Sequence, residues 1–170
     1  MGLRLQADEI LATLERHQVE YVVIGGLAAV LHGSPLLTGD ADVCPARTPD
    51  NLGRLAAALR EIQARIRTRD APEGIPFTCD AVFLSRIEVA LNLVTAFGDL
   101  DLSFRPSGTS GYEDLAARAV RMTIRGHGVR VAALEDVIHS KEVANRPKDR
   151  MALPTLRLLL KRLRERDRSD

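Results

Sequence analysis

The stretch from Ile24 to Val43, IGGLAAVLHGSPLLTGDADV, combines a glycine pair with two aspartates one residue apart. The glycines follow a short β-branched run typical of a buried strand and precede the small apolar residues of a short helix. Thr38–Val43 is predicted to be a second strand, in which alternation places Thr38, Asp40 and Asp42 on one face. Like charges so close repel each other unless a cation lies between them. No lysine or arginine lies close to these aspartates along the chain. The stretch therefore predicts a cation site beside a glycine turn.

The glycines and carboxylates together are typical of a phosphate and metal site. Gly25 and Gly26 would let the backbone approach a phosphate closely, and the helix after them would present free N–H groups. Neighbouring carboxylates suit Mg²⁺, which prefers oxygen ligands. A predicted hairpin strand, GDLDL, supplies Asp99 and Asp101 on its polar face, and a pair of metal ions held by three acids can activate an attacking oxygen. A solvated strand edge is the alternative interpretation of an isolated D-x-D pair.

Composition favours one folded domain over residues 1–170. Of these residues 45% are hydrophobic and 28% are charged, which is ordinary for a globular protein. The longest apolar run, YVVIGGLAAVL, is too short to span a bilayer, so we expect a cytoplasmic protein with no membrane partner. Cys44 and Cys79 are expected to be small core residues.

Charge is distributed unevenly along the chain. Residues 1–117 carry 10 basic and 16 acidic side chains, a net charge of −6, whereas residues 118–170 carry 14 and 7, a net charge of +7. We therefore expect an acidic catalytic part and a basic helical C-terminal part, which suits either a polyanion or a solvated arginine-rich face. With four Phe, two Tyr and no Trp, the chain favours recognition of a nucleic acid through backbone and shape rather than base stacking.

Hydrophobic periodicity predicts a chain that contains both helices and strands, with a hairpin between ALNLVT and DLDLSF. The predicted helices are 7–17, 26–32, 49–66, 112–119, 134–145 and 154–166, with a loop over 67–76 and strand-like segments near 90–95, 99–104, 121–126 and 129–134.

Lys141 is one of only three lysines in a chain with 21 arginines, and it lies on the apolar stripe of the predicted helix 134–145. A buried ammonium needs an anion, and its compact charge suits a phosphate or a metal-bound carboxylate. The alternative is a lysine whose stem is buried and whose charge reaches solvent.

Three segments in this order, IGGLAAVLHGSPLLTGDADV, GDLDLSFRPSG and LEDVIHSKEVANRPKD, resemble the minimal nucleotidyltransferases of the DNA polymerase β-like superfamily. More narrowly, they are similar to the AbiEii/MenT-type toxins of toxin–antitoxin systems. The resemblance covers roughly residues 18–160. It implies an α/β (α+β) nucleotidyltransferase fold with a mixed, mostly antiparallel sheet and flanking helices. It also implies transfer of an NMP from an NTP to the 3′ end of tRNA, with two Mg²⁺ ions and a cognate antitoxin as partner. A small-molecule (aminoglycoside-like) or protein hydroxyl as acceptor, or a non-catalytic binding module, are the alternatives.

The resemblance also implies roles for individual residues. Asp101, rather than Asp99, matches the third carboxylate, and it would help to ionise the acceptor hydroxyl. Asp149 matches a later acidic position, although an aspartate just after Pro147 is also a helix cap. Leu36 stands where many relatives carry an arginine. The implied catalytic residues are Asp40, Asp42, Asp101, Lys141 and Asp149, the metal ligands are Asp40, Asp42 and Asp101, and the nucleotide-binding residues are Gly25, Gly26, Thr38, Lys141, Arg146 and Lys148.

Thr38 has a further, regulatory hypothesis attached to it. Its hydroxyl is expected to point into the same cleft as Asp40 and Asp42. Phosphorylation there would add a charge of about −2 where a triphosphate must bind, and would block the site.

Overall fold

The computed structural model describes residues 4–170, in which seven strands form one sheet flanked by helices. The strands are β1 Tyr21–Val23, β2 Asp40–Pro45, β3 Arg65–Ile66, β4 Ala90–Thr95, β5 Gly98–Ser103, β6 Val120–Ile124 and β7 His127–Val131. The helices are α1 Ala7–Arg16, α2 Gly25–Leu31, α3 Pro49–Glu61, α4 Ala81–Ser85, α5 Tyr112–Ala116, α6 Leu134–Ala144 and α7 Pro147–Asp167.

The strand order in the sheet is β3-β4-β5-β2-β1-β7-β6. Neighbouring strands are antiparallel except for the pairs β1–β7 and β2–β5, which are parallel. This arrangement confirms the predicted mixed, mostly antiparallel sheet. No helix of residues 4–170 has the length and apolar character needed to cross a bilayer.

One apolar core lies against the sheet, and alternation in the strands separates it from the polar face. In β5, Leu100 and Leu102 are fully buried, whereas Asp101 between them is half-buried on the opposite face. Cys44 and Cys79 belong to the core as predicted, and burial raises the pKa of their thiols to about 12 and about 11. Helix α2 contacts β2 and α6, and α6 contacts α7, so these helices stand beside the polar face of β2 and β5.

Helix α3 ends earlier than its apolar period predicts, at Glu61 instead of Ile66. It begins as expected, since the Thr48 hydroxyl accepts a hydrogen bond from the Asn51 N–H at 3.4 Å. At the other end Gln63 adopts a left-handed φ of 57°, which redirects the chain. Residues 65–66 form β3 and pair with β4. Ile66 happens to fall at the position where the apolar period of α3 would continue, which is why the sequence predicted a longer helix.

Helix α7 begins at Pro147, seven residues before the predicted start at Pro154, and passes through Pro154 without ending. Pro147 occupies the first turn, where its missing N–H has no intrahelical partner to lose. Asn145 in a left-handed conformation ends α6 just before it. The basic helical part over 118–170 thus has two helices at its C-terminal end, and they follow the β6–β7 hairpin that the two strand-like segments predicted.

Strand β2 begins at Asp40, so Thr38 lies in the preceding loop instead of on the strand. The predicted common strand face of Thr38, Asp40 and Asp42 is wrong for Thr38. Its hydroxyl still stays close to the site, because it donates a hydrogen bond to the Asp40 carbonyl oxygen at 3.0 Å.

A Gly53→Ala variant is expected to be more stable than the wild type by about 0.5–1 kcal/mol, because Gly53 is exposed inside α3 and a Cβ there meets nothing within 4 Å. Urea unfolding monitored by circular dichroism measures the change. Gly98→Ala is the contrasting variant, since its φ is +107° and its Cβ would lie 2.9 Å from the Leu5 Cα. Loss of stability in Gly53→Ala would contradict the assignment of this helix interior.

Candidate active site

Three of the predicted carboxylates meet where β2 and β5 run side by side. The parallel register pairs Asp42 with Asp101 and Asp40 with Asp99. Asp40, Asp42 and Asp101 each offer one carboxylate oxygen, and these oxygens lie within 4.8 Å of one another. We call them the carboxylate triad. Oxygen donors at this separation suit a hard divalent cation such as Mg²⁺.

The electrostatics of the triad show how crowded its negative charge is. Burial, followed by repulsion from Asp40 and Asp101, raises the pKa of Asp42 to about 7, although Lys148 and Lys141 oppose the rise. Burial, followed by the nearby Asp40 carboxyl, likewise raises the pKa of Asp101 to about 7. A bound cation would relieve this repulsion and favour the ionised carboxylates.

The glycine pair makes room for the side chains of the site. Gly25 has a left-handed φ of +61°, and a Cβ on it would lie 2.7 Å from Oδ2 of Asp42. A Cβ on Gly26 would lie 3.0 Å from Oγ1 of Thr38. The Ile24 N–H donates to the Asp42 carbonyl oxygen at 2.9 Å, which fixes the turn against β2. The glycine pair is therefore required by packing, and its contact with phosphate stays a prediction.

Asp149 lies outside the triad and caps α7. It is fully buried, and its carboxylate accepts hydrogen bonds from the Arg146 Nε at 2.7 Å and from the Arg146 backbone N–H at 3.1 Å. The Lys141 Nζ lies 3.6 Å from the same carboxylate. Burial alone would raise the pKa of Asp149, but the hydrogen bonds and charge of Arg146 hold it below its usual value. The cap that the sequence allowed as an alternative is thus present, and a catalytic role for Asp149 stays a prediction.

Replacing Asp149 with Ala is expected to lower the free energy of unfolding by about 3 kcal/mol, because it removes a helix cap and leaves the half-buried Lys141 without its carboxylate. Thermal and urea unfolding measure the loss. Asp50→Ala, in the first turn of α3, is the matched control and should cost far less. Equal losses in the two variants would contradict the buried arrangement.

A cleft of about 750 Å³ opens over the triad between the sheet and α6–α7. The predicted nucleotide-binding residues all face it: Gly25, Gly26, Thr38, Lys141, Arg146 and Lys148. Leu36 lines the same cleft and is 37% exposed, and the adjacent Leu37 is fully exposed. The position where many nucleotidyltransferases carry an arginine is therefore an apolar part of the cleft wall here.

Arg67 is the site residue that the sequence did not indicate. Its guanidinium donates to Asp101 Oδ1 at 2.7 Å and also binds Asp99. The sequence observation that no lysine or arginine lies near Asp40 and Asp42 along the chain did not concern Asp101, which has Arg67 as its cationic partner in the fold. Arg67 lies 34 residues from Asp101 in a segment predicted to be a loop, and the β3-β4-β5 strand order brings the two together. No local pattern around Arg67 carried this signal.

No protein-family model and no curated protein matches this chain. Solved structures do match its fold. The lincosamide antibiotic adenylyltransferase LnuA with bound lincomycin has a TM-score of 0.62 at 13% identity, over 94% of this chain and 99% of that one. The antibiotic-resistance factor ANT(2″)-Ia has a TM-score of 0.55 at 17% identity, over 91% and 80%. The Thermotoga maritima protein TM1012, named provisionally as a nucleotidyltransferase, has a TM-score of 0.54 at 16% identity, over 89% and 94%. The chain therefore has the nucleotidyltransferase fold.

Proposed function

We propose that the protein is an Mg²⁺-dependent nucleotidyltransferase that moves an NMP from an NTP onto a hydroxyl of a small molecule. The observation that carries the proposal is the carboxylate triad of Asp40, Asp42 and Asp101, with oxygens within 4.8 Å of one another in the cleft of a nucleotidyltransferase fold. Unused clustered carboxylates would only cost stability, which argues against a non-catalytic binding module.

The triad residues would hold one or two Mg²⁺ ions, and the donor set fits because it is all oxygen and its carboxylate oxygens lie within 4.8 Å of one another. When bound, the metal supplies positive charge that neutralises the triphosphate and the leaving pyrophosphate. Lys141 and Lys148 lie in the same cleft and close enough to Asp42 to lower its pKa, so they face the phosphates from the helical wall.

In the proposed reaction the acceptor oxygen forms a bond to the α-phosphorus while the bond from that phosphorus to the bridging oxygen breaks. Pyrophosphate leaves with that electron pair. The ionised carboxylate of Asp101 takes the proton of the acceptor hydroxyl. The protein then acts mainly by positioning and by charge, as is usual for such transfers.

The size and charge of the cleft favour a small acceptor that is neutral or singly charged. Its volume of about 750 Å³ lies in the usual range for small-molecule sites. Among the described residues that line it, the only carboxylate outside the triad is Asp136, which pairs with Arg118 at 3.0 Å. A polycation would therefore find few free anions. The structures of LnuA and ANT(2″)-Ia belong to proteins that act on antibiotics, which supports a small acceptor.

The second candidate is transfer to the 3′ end of tRNA by a toxin whose cognate antitoxin controls it. The net charge of +7 over residues 118–170 favours it. Several basic residues of α7 are already paired, however: Arg157 with Glu142 at 2.8 Å, Arg164 with Glu135 at 3.2 Å and Lys161 with Glu165 at 4.0 Å. The three acids lie within residues 118–170, so the net charge of +7 already includes them and the pairs only fix where these basic side chains lie. The small acceptor ranks above tRNA because of the size of the cleft and the two structural neighbours that act on antibiotics. Phosphorylation of Thr38 belongs to this candidate as its means of control.

The test incubates the purified protein with Mg²⁺ and each α-labelled NTP in parallel with lincomycin, tobramycin and total tRNA. We expect label on a neutral or singly charged small molecule, lost on omission of Mg²⁺ and in Asp101→Asn. Label on tRNA that falls steeply with salt would establish the second candidate instead. Absence of transfer to every acceptor, together with absence of Mg²⁺ binding, would overturn the enzyme proposal.

A further inference from the structure

Arg67 lies in the same cross-strand row of the sheet as two members of the triad. Its backbone N–H donates to the Asn92 carbonyl oxygen at 2.9 Å, which extends the β3–β4 pairing by one residue. In the ladder Asn92 pairs with Asp101, and Asp101 pairs with Asp42. The Arg67 side chain therefore reaches past one strand to the edge of the triad.

The contacts of this side chain are with carboxylates. Nη2 of Arg67 donates to Asp101 at 2.7 Å, and Nη1 binds Asp99, the same-face neighbour of Asp101 on β5. The Arg67 and Asp101 side chains are only 21% and 22% exposed. A charge-assisted pair so shielded from water is stronger than a surface pair, and the planar guanidinium fixes its partners in orientation.

Asp101 needs such a restraint because its other neighbours repel it. Asp40 and Asp42 lie beside it in the triad, with carboxylate oxygens within 4.8 Å of its own, and Asp99 is its same-face neighbour on β5. Within residues 4–170, Arg67 is the only cation that forms an ion pair with a triad carboxylate. Lys141 and Lys148 act on Asp42, at the other side of the triad.

We propose that Arg67 is a positioning residue that holds the Asp101 carboxylate beside Asp40 and Asp42, so that the three oxygens together can bind the metal. The inference rests on the proposed function, since it concerns the same site. It gives Arg67 a role apart from folding, and the neighbouring Arg65 provides the contrast. Arg65 donates to the Gly74 carbonyl oxygen at 2.9 and 3.2 Å and so secures the loop after β3, and among residues 4–170 it has no carboxylate partner.

Mn²⁺ binding distinguishes positioning from simple charge. Removing a cation beside a metal site should tighten Mn²⁺ binding if Arg67 acts only through its charge. If Arg67 positions Asp101, its removal should weaken binding despite the lost repulsion. Isothermal titration calorimetry of the nucleotide-free full chain with Mn²⁺ measures whether the affinity rises or falls in the variant, and it needs neither an acceptor nor turnover.

We expect Arg67→Gln to bind Mn²⁺ about 10-fold more weakly and to lower kcat about 10- to 100-fold, with KM for the NTP within about 3-fold of wild type. Arg67→Lys should recover part of both losses, and Arg65→Gln, the matched control, should keep Mn²⁺ affinity within about 2-fold. Circular dichroism and the thermal midpoint check that each variant is folded, and the Lys variant serves if the Gln variant is not.

Unchanged or tighter Mn²⁺ binding by Arg67→Gln would overturn this inference and leave the proposed function standing. Mn²⁺ binding by the wild type that weakens in the variant, with no nucleotidyl transfer to any acceptor, would leave the inference standing and count against the proposed function.

Discussion

Asp42→Asn is expected to abolish Mg²⁺-dependent nucleotidyl transfer, with a loss of at least about 10³-fold in kcat, while making the metal-free protein more stable by about 2 kcal/mol. Activity falls because the triad loses the anionic oxygen that would bind the metal, whose charge stabilisation is worth several kcal/mol. Stability rises because the amide keeps the shape of the carboxyl but removes a charge that burial and two neighbouring acids oppose.

The stability gain should depend on pH, with a sign fixed by the raised pKa of Asp42. The folded protein holds this proton up to about pH 7, whereas the unfolded chain releases it near the ordinary value of 3.8. The favourable contribution of protonation is therefore present below about pH 4 and is lost as pH rises through about 7. Asn carries no such proton, so the advantage of the variant over wild type should be larger at pH 8 than at pH 5.

Urea unfolding at both pH values in the presence of EDTA measures this difference, and a labelled-NTP assay measures the activity. Asp99→Asn is the matched control, because it makes the same substitution on the neighbouring strand β5. The Asp99 carboxylate is paired with Arg67 and lies outside the triad. It should give no stabilisation. An Asp42→Asn protein that keeps wild-type activity, or that is destabilised at pH 8, would contradict the proposed metal site.

Features that depend on residues close together along the chain were predictable from the sequence. The alternation in ALNLVT and DLDLSF produces the β4–β5 hairpin, whose register pairs Asn92 with Asp101. The D-x-D spacing placed Asp40 and Asp42 on one strand face because side chains alternate with period two. Local periodicity and charge crowding therefore nominated Asp40, Asp42 and either Asp99 or Asp101, and the resemblance to nucleotidyltransferases selected Asp101, which the structure brings to the other two.

Features that depend on strand order were not predictable. The pairing of Arg67 with Asp101 requires β3, β4 and β5 to be neighbours, and β3 is only two residues long. Its apolar residue Ile66 continued the period of α3, so the segment resembled the end of that helix. Likewise, Pro147 signals both the end of α6 and the start of α7, and the sequence pattern alone favoured the first.

The basic C-terminal part shows the same limit for charge. The net charge of +7 over residues 118–170 already includes Glu135 and Glu142, which α6 supplies to arginines of α7. Such exposed pairs are individually weak, and they fix where the arginine side chains lie without changing the net charge. Which arginines remain on one open face depends on this helix pairing, which a count of charges along the sequence does not give.

Gly25→Ala is expected to lower activity by about 100-fold and the free energy of unfolding by about 2 kcal/mol. The new Cβ would lie 2.7 Å from Oδ2 and 3.0 Å from Cγ of Asp42, so the carboxylate must move away from the triad. The left-handed φ of +61° adds about 1 kcal/mol of backbone strain for a residue with a side chain. Displacement of a catalytic group by even about 1 Å is enough for a loss of this size.

A double-mutant cycle separates the clash from the backbone strain. In the Asp42→Ala background the carboxylate is absent, so Gly25→Ala should lose about 1 kcal/mol less stability than it does in the wild type, and the remainder reports the φ strain. Gly26→Ala is the matched neighbour: its Cβ would meet Thr38 Oγ1 at 3.0 Å, but its φ is not left-handed, so it should cost less than Gly25→Ala in both stability and activity. Strict additivity of the two stability changes would contradict the inference that Gly25 makes room for the Asp42 carboxylate. The need for glycine at this position would then rest on the left-handed φ alone.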